Sequence, residues 1–274
     1  MERKLLHVVS DYAQGSLGAG NLQASILSNL PTGWDLIYSS VYNFDTLSAG
    51  YLLGQYGLQN EDLRPSELML FASCSPRFER PRDASGTERE AFYYGTLRNG
   101  VRVIAVNSGY TLSFLRGSFS ELREIRIENC EAGVQRPRNF LPGIVGHLIA
   151  GNTSWLGAEL DPLKVISEYP PGVVCYIDSF GNIKTTYTDH DEVIRHIKTQ
   201  GSGARIRIEI NGEVRAATLG IGTTDPLEGD TLFAPQSGAF LNRFWEISCR
   251  RADASANFNN PPPGSSIKLM IHQK

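Results

Sequence analysis

Between Tyr176 and Thr185 the chain gathers a carboxylate, an aromatic ring and a carboxamide around one glycine: Asp178, Phe180, Gly181 and Asn182. Such a grouping suits a small polar ligand. The preceding run, Gly172-Val173-Val174-Cys175-Tyr176-Ile177, is rich in β-formers, which places Asp178 and Asn182 where a strand end meets a bend. Strand ends and their loops supply solvent-reachable groups on a rigid support. Taken alone, the segment reads first as a hairpin in which Asp178 and Asn182 satisfy backbone groups of their own turn.

Further blocks extend the pattern along the chain. Val9-Ser10-Asp11-Tyr12 reads as a strand that ends in a carboxylate, and Asn43-Phe44-Asp45-Thr46 as the segment after a second strand. Asn99-Gly100 is followed by Ala105-Val106-Asn107-Ser108-Gly109-Tyr110-Thr111-Leu112-Ser113, and Trp245-Glu246-Ile247-Ser248-Cys249-Arg250-Arg251 precedes a run of small residues. In order and spacing these blocks resemble the S-adenosylmethionine (SAM) hydroxide adenosyltransferases, which share a fold with the fluorinating and chlorinating SAM enzymes. The Asp-x-Phe-Gly-Asn turn is the most specific of the matches.

The resemblance implies an in-line displacement at the ribose C5′ carbon of SAM, with SAM as substrate and no cofactor. Asp11 would accept hydrogen bonds from the vicinal ribose hydroxyls, each worth about 1.5–3 kcal/mol when one partner is charged. The bland role for the same residue is a helix N-cap or turn. Asp178 and Asn182 would face the methionine ammonium. Ser237 would bind the carboxylate, although a plain turn serine suits it equally. Tyr12 and Phe180 would give ring contacts, Asn107 falls among the substrate-binding positions, and Arg251 through Ala254 would offer backbone groups to adenine. The family's assembly implies a homotrimer with sites at subunit interfaces.

One part of the pattern departs from the family. Its hydroxide-transferring members surround the attacking water with an Asp-Pro-Gly loop, an Arg further on, and a His in a His-Gly-Arg-Asp segment. Aligning Ser75-Pro76 with Asp-Pro puts Arg82 on the Arg position and Ser75 on the Asp position, while Arg136 takes the place of the His and Asn139 that of the Asp. Arginine stays protonated and cannot act as a base, and a lone serine hydroxyl is no better. Arg77, Arg80, Arg82, Arg136 and Arg138 form a set that would favour an anion if their loops converge. Equally, they are solvated arginines pairing with Glu79, Asp83 and Glu88. A non-catalytic SAM- or adenosine-binding protein is therefore carried beside the enzyme.

The remaining features set outer bounds. A chain of 274 residues, 41% hydrophobic, can bury a large core and is long enough for two domains. Its net charge of -3 and lack of a basic stripe imply no nucleic-acid partner. The start lacks a signal-peptide pattern and no segment is long enough to span a bilayer, so a cytoplasmic protein without a membrane partner is expected. Cys74, Cys130, Cys175 and Cys249 are scattered and read as buried free thiols. His147 reads as a structural residue in a helical pattern, His190 and His196 as exposed, and His7 and His272 as strand residues; none pairs into a metal site.

Pro and Gly interrupt the pattern at 161–171, dividing the chain into an α/β N-terminal domain (1–165) and a mostly antiparallel β-barrel or sandwich C-terminal domain (170–274). In the first, strands are expected at Leu5–Val9, Leu36–Tyr38, Leu68–Ala72 and Val101–Val106, and helices at Ala19–Ser28 and Thr46–Tyr56. In the second, six strands begin at Val173, Ala204, Glu213, Thr231, Phe244 and Ser266, with one helix near Asp191–Thr199. Gly15, Gly18 and Gly20 lack dinucleotide-fingerprint spacing and are read as a flexible loop.

Overall fold

A computed structural model describes residues 3–59, 64–74, 91–127, 140–220, 228–236 and 244–271. The chain divides into two compact units, Met1–Glu168 and Tyr169–Lys274, each built on one seven-stranded mixed sheet.

The first sheet begins with β1 (Lys4–Ser10), which lies between β2 (Trp34–Ser40) and β3 (Leu68–Ser73) and runs parallel to both. β5 (Arg102–Asn107) pairs parallel to β3, and β4 (Ala91–Leu97), β6 (Phe119–Ile125) and β7 (Leu156–Glu159) extend that side antiparallel. β1, β3 and β5 read as unbroken apolar runs because both faces of the sheet are covered. Leu6 and Val8 pack with Leu22 and Ile26 of helix α1 (Leu17–Leu27) and with Ile144 and Leu148 of the helix Leu141–Ile149. His7 points to the opposite face, where its ring stacks on Tyr56 of helix α2 (Thr46–Leu58) at 3.7 Å. Crossovers from β1 to β2 and from β2 to β3 thus lie on opposite faces of the sheet.

The glycine-rich stretch expected to be a flexible loop is the start of α1. Ser16 caps it, its Oγ accepting from the Ala19 N–H at 3.2 Å, and Gly18 lies so close to the Tyr12 ring that a Cβ there would sit 2.8 Å from it. Capping and the buried Leu22 and Ile26 outweigh the low helix propensity of the two glycines.

In the second unit the strand order is β14-β10-β11-β12-β13-β9-β8. These are β8 (Val174–Ile177), β9 (Ile183–Thr188), β10 (Arg205–Ile210), β11 (Glu213–Leu219), β12 (Thr231–Pro235), β13 (Phe244–Cys249) and β14 (Ile267–Ile271). Every pairing is antiparallel except that of β11 with β12. The sheet curls until its two ends meet, with a bridge between Val173 and Ser266 and a hydrogen bond from Ile267 N–H to the Gly172 carbonyl. Its core holds Trp245, Phe233 and Phe258 among Ile183, Ile206, Ile208 and Ile247. A helix at Glu192–Lys198 contributes Ile194 and Ile197. Among the described residues, no helix is long and apolar enough to cross a membrane.

Candidate functional site

The strand order reverses between β1 and β3, the chain passing from β1 to β2 on one side while β5 and β4 follow β3 on the other, and the carboxyl ends at such a point are where open α/β sheets receive ligands. Ser10 pairs with Ser73 as the last rung, and Asp11 and Cys74 follow directly. The Asp11 N–H reaches the Ser73 carbonyl at 3.3 Å, which fixes the backbone just past the strand. Asp11 Oδ2 accepts the Phe44 N–H at 3.2 Å, so the loop before α2 holds the carboxylate from the other side. Phe44 adopts φ 65°, a left-handed conformation rare for a residue with a large side chain.

Around Asp11 the polar groups are mostly buried. Asp45 caps α2, its Oδ1 accepting from the Ser48 N–H at 2.9 Å, while its Oδ2 is buried with no hydrogen-bond partner among the described residues. Burial pushes the Asp45 carboxyl above the usual range despite the opposing pull of Ser48. Burial first, and then the charges of Asp11 and Asp45, push the Cys74 thiol well above its ordinary pKa. Tyr38 Oη donates to the Tyr12 carbonyl at 2.6 Å, and the Tyr12 ring packs on the core beside α1.

Asn107 ends β5, but its carboxamide turns toward the segment that closes the first unit and donates to the Val165 carbonyl at 3.0 Å. Ser113 Oγ donates to Ser167 O at 2.7 Å, and Arg116 Nε donates to Ile166 O at 2.9 Å, so three side chains tie down residues 165–167. Asn107 works here as a structural tie.

In the second unit the Asp178–Asn182 turn is closed on itself. Asp178 Oδ1 accepts from the Phe180 and Asn182 N–H groups at 2.9 and 3.0 Å, and Oδ2 accepts from Asn182 Nδ2 at 3.0 Å. Lys184 Nζ lies 3.1 Å from the same Oδ2 and also pairs with Glu246. Partial burial raises the Asp178 pKa, but the Asn182 amide groups and Lys184 outweigh it and hold the carboxyl below the usual range. Phe180 projects outward, 79% exposed.

The turn sits against the loop that follows β13. Gly181, at φ 77°, presses on Asp253, and its carbonyl accepts the Ser255 N–H at 2.9 Å. Two blocks separated by about seventy residues in sequence therefore meet. Within that loop Ala254 is fully buried in the core, whereas Arg251 is exposed and pairs with Glu228 at 3.4 Å. Ser75, Arg82, Arg136 and Ser237, together with Arg77, Arg80 and Arg138, lie outside the described residues.

Sequence reading passed over Cys74, Lys184, Glu246 and Asp253. Cys74 looked like any buried thiol, and only the in-register pairing of β1 with β3 sets it beside Asp11. Among the described residues, no group of three His, Cys, Asp or Glu side chains is placed to hold a metal ion.

No family model and no curated protein matches the chain. Its fold is shared with solved structures. An uncharacterized conserved protein from Thermotoga maritima superposes with a TM-score of 0.71 at 20% identity, over 97% of this chain and 99% of that one. A conserved hypothetical protein from Thermus thermophilus gives 0.64 at 15% identity, over 98% and 100%.

Proposed function

We propose that the protein binds SAM and transfers its 5′-deoxyadenosyl group to water or a small anion, releasing methionine. In the step, the nucleophile's electron pair forms the new bond to C5′ as the C5′–S bond breaks, and its electrons neutralise the sulfonium. With water the extra proton passes to solvent and the product is adenosine. The sulfonium is already an activated leaving group, so the protein's work is to hold the sugar and bring the nucleophile into line.

The observation that carries this reading is Asp11: a carboxylate at the carboxyl end of β1, where the strand order reverses between β1 and β3, fastened by the Phe44 N–H. That placement suits a ribose diol. Asp178 and Asn182 are assigned to the amino-acid end, where a ligand ammonium would compete with Lys184 for Asp178 Oδ2. The proposal includes an α/β N-terminal domain, a mostly antiparallel β-barrel C-terminal domain, a homotrimer with sites at its interfaces, and a cytoplasmic setting.

A second reading, a binding protein without turnover, is favoured by two observations. Arg136 stands where the family has a base, and the acceptors of Asp178 are engaged by its own turn and Lys184. Chromatography of SAM after incubation with the protein, in water and with added chloride, separates the two. Adenosine or a 5′-substituted nucleoside plus methionine supports the enzyme. Calorimetric binding of SAM without any product, abolished in Asp11→Ala, supports the binding protein. Neither binding nor product overturns both.

A further inference from the structure

We propose that the amino-terminal end of the first sheet carries a second binding site, a cleft that takes a small planar aromatic carboxylate between the indole of Trp34 and the ammonium of Lys4. Lys4 opens β1, Trp34 opens β2, and the two are paired in register. Asp11 follows the last residue of β1, so the cleft lies at the other end of that strand and does not depend on the SAM reading.

The register brings cations and an indole together there. Lys4 shares a face with Leu6 by strand alternation, Leu6 pairs with Met69, and Met69 pairs with Arg102. Lys4, Trp34 and Arg102 therefore project from one face of the sheet, the face that α1 and the helix Leu141–Ile149 cover further along. Lys4 Nζ lies 6.0 Å, and the Arg102 guanidinium carbon 5.8 Å, from the Trp34 ring. Both distances are at the outer limit of a cation–π contact, so the indole holds neither cation firmly. Among the described residues no carboxylate pairs with either. Asp35, next to Trp34 in the chain, belongs to the other face and pairs with Arg3 at 3.6 Å. Two positive charges at one ring, with no acidic partner among the described residues, favour an anion.

A cavity of about 520 Å³ opens beside Lys4 and Trp34, bounded by the Pro31–Gly33 turn and by Ile149 and Ala150 at the end of the helix. That volume is within the usual range of small-molecule sites. Trp34, Pro31, Ile149 and Ala150 give apolar walls that suit a flat ring, and Lys4 gives the cation that a carboxylate needs. The N–H groups of Thr32 and Gly33 make no hydrogen bond among the described residues, which leaves two further donors on the turn. The helix end does not oppose an anion strongly, because its His147 and Leu148 carbonyls already accept from the Asn152 and Gly151 N–H groups. A phosphate would need more charged donors than one ammonium at the wall, whereas a single carboxylate on a flat apolar body matches what is present.

Benzoate is the probe, benzamide its neutral counterpart and acetate the anion without a ring. The chain has three tryptophans, so the indole N–H signal of Trp34 can be followed by NMR on the full chain and assigned by its loss in Trp34→Phe. Benzoate should move that signal saturably while the signal of Trp245, in the second unit, stays in place. Benzamide and acetate should each bind about 10-fold more weakly. Lys4→Met should weaken benzoate about 10-fold without changing benzamide, and Lys4→Arg, which keeps the charge, should restore benzoate binding. A Trp34 signal that benzoate does not move would overturn the site. Benzamide binding as tightly as benzoate would overturn the role of charge, and acetate binding as tightly would overturn the role of the ring; either result sinks the proposal. So would Lys4→Met binding benzoate like the wild type. The comparison of the three probes uses the wild-type protein and decides the matter even if Lys4→Met does not fold.

Discussion

Phe44 lends its backbone amide to Asp11, the N–H meeting Oδ2 at 3.2 Å, while Phe44 itself is held at φ 65°. The backbone conformation that aims this amide is one that a bulky residue adopts only at a cost of about 1–2 kcal/mol. A strained residue that supplies a hydrogen bond to a carboxylate at a strand end ties local cost to the geometry of the site. The side chain is 39% exposed, so packing of the ring offsets only part of that cost.

Substitution at this position should follow backbone preference. Asn tolerates the left-handed region, and Phe44→Asn should stay within about 0.5 kcal/mol of wild type. Val, branched at Cβ, does not tolerate it, and Phe44→Val should lose about 1–2 kcal/mol. Urea denaturation midpoints measure both, and a Val variant as stable as the Asn variant would remove the strain argument.

His7 couples the first unit to pH. It is 8% exposed, stacked on Tyr56 and 2.9 Å from Ser39 Oγ, and burial lowers its pKa from 6.5 to about 4. The unfolded chain takes up this proton below pH 6.5, whereas the folded chain resists until near pH 4. The stabilisation is therefore complete above 6.5 and is lost as the pH falls toward 4. At pH 5 the loss is about 2 kcal/mol relative to pH 7. His7→Phe keeps a ring on Tyr56 and removes the titration, so its stability should fall less over that interval by about the same amount. Denaturant titrations at the two pH values give the comparison.

The strands most legible in the sequence were those with the simplest surroundings. Leu5–Val9, Leu68–Ala72 and Val101–Val106 are apolar throughout because helices cover both faces of the central strands, and they become β1, β3 and β5. β6, Phe-Ser-Glu-Leu-Arg-Glu-Ile, alternates too many charges to stand out, and β7 has only four residues. β9 was hidden because Ile183–Thr188 follows the Asp178 turn so closely that it read as part of it. Of the site, Asp11 was visible as a carboxylate at a strand end. That Cys74 follows the neighbouring strand beside it was not, because their adjacency depends on the pairing of strands about sixty residues apart.

Gly181 is a position where both conformation and space exclude a side chain. Its φ is 77°, and a Cβ would lie 1.9 Å from Asp253 Oδ1, a carboxylate fastened by Ser255 Oγ at 2.7 Å and the Ala256 N–H at 3.1 Å. Gly181→Ala must bear left-handed strain and also break that fastening, for a total of about 3 kcal/mol. Gly203, at φ 83° with open space around it, isolates the first term, and Gly203→Ala should cost about 1 kcal/mol. Equal losses for the two in urea denaturation would show that the Asp253 contact contributes nothing.

Lys184 lies between two carboxylates, Asp178 and Glu246, and the three side chains are 12%, 21% and 15% exposed respectively. Replacing it with methionine preserves the length of the stem but leaves two half-desolvated negative charges facing each other. Lys184→Met should therefore lose about 2–3 kcal/mol at pH 7. The sign of the pH response follows from Asp178. In the wild type its depressed pKa contributes stability above the unfolded carboxylate range, and that contribution fades as the pH drops through the folded value. In the variant the same carboxylate gains a proton readily on acidification, which relieves the repulsion. The stability gap between the two proteins should narrow from pH 7 to pH 4, and a gap that stays constant would show that the lysine acts through packing of its stem and not through its charge.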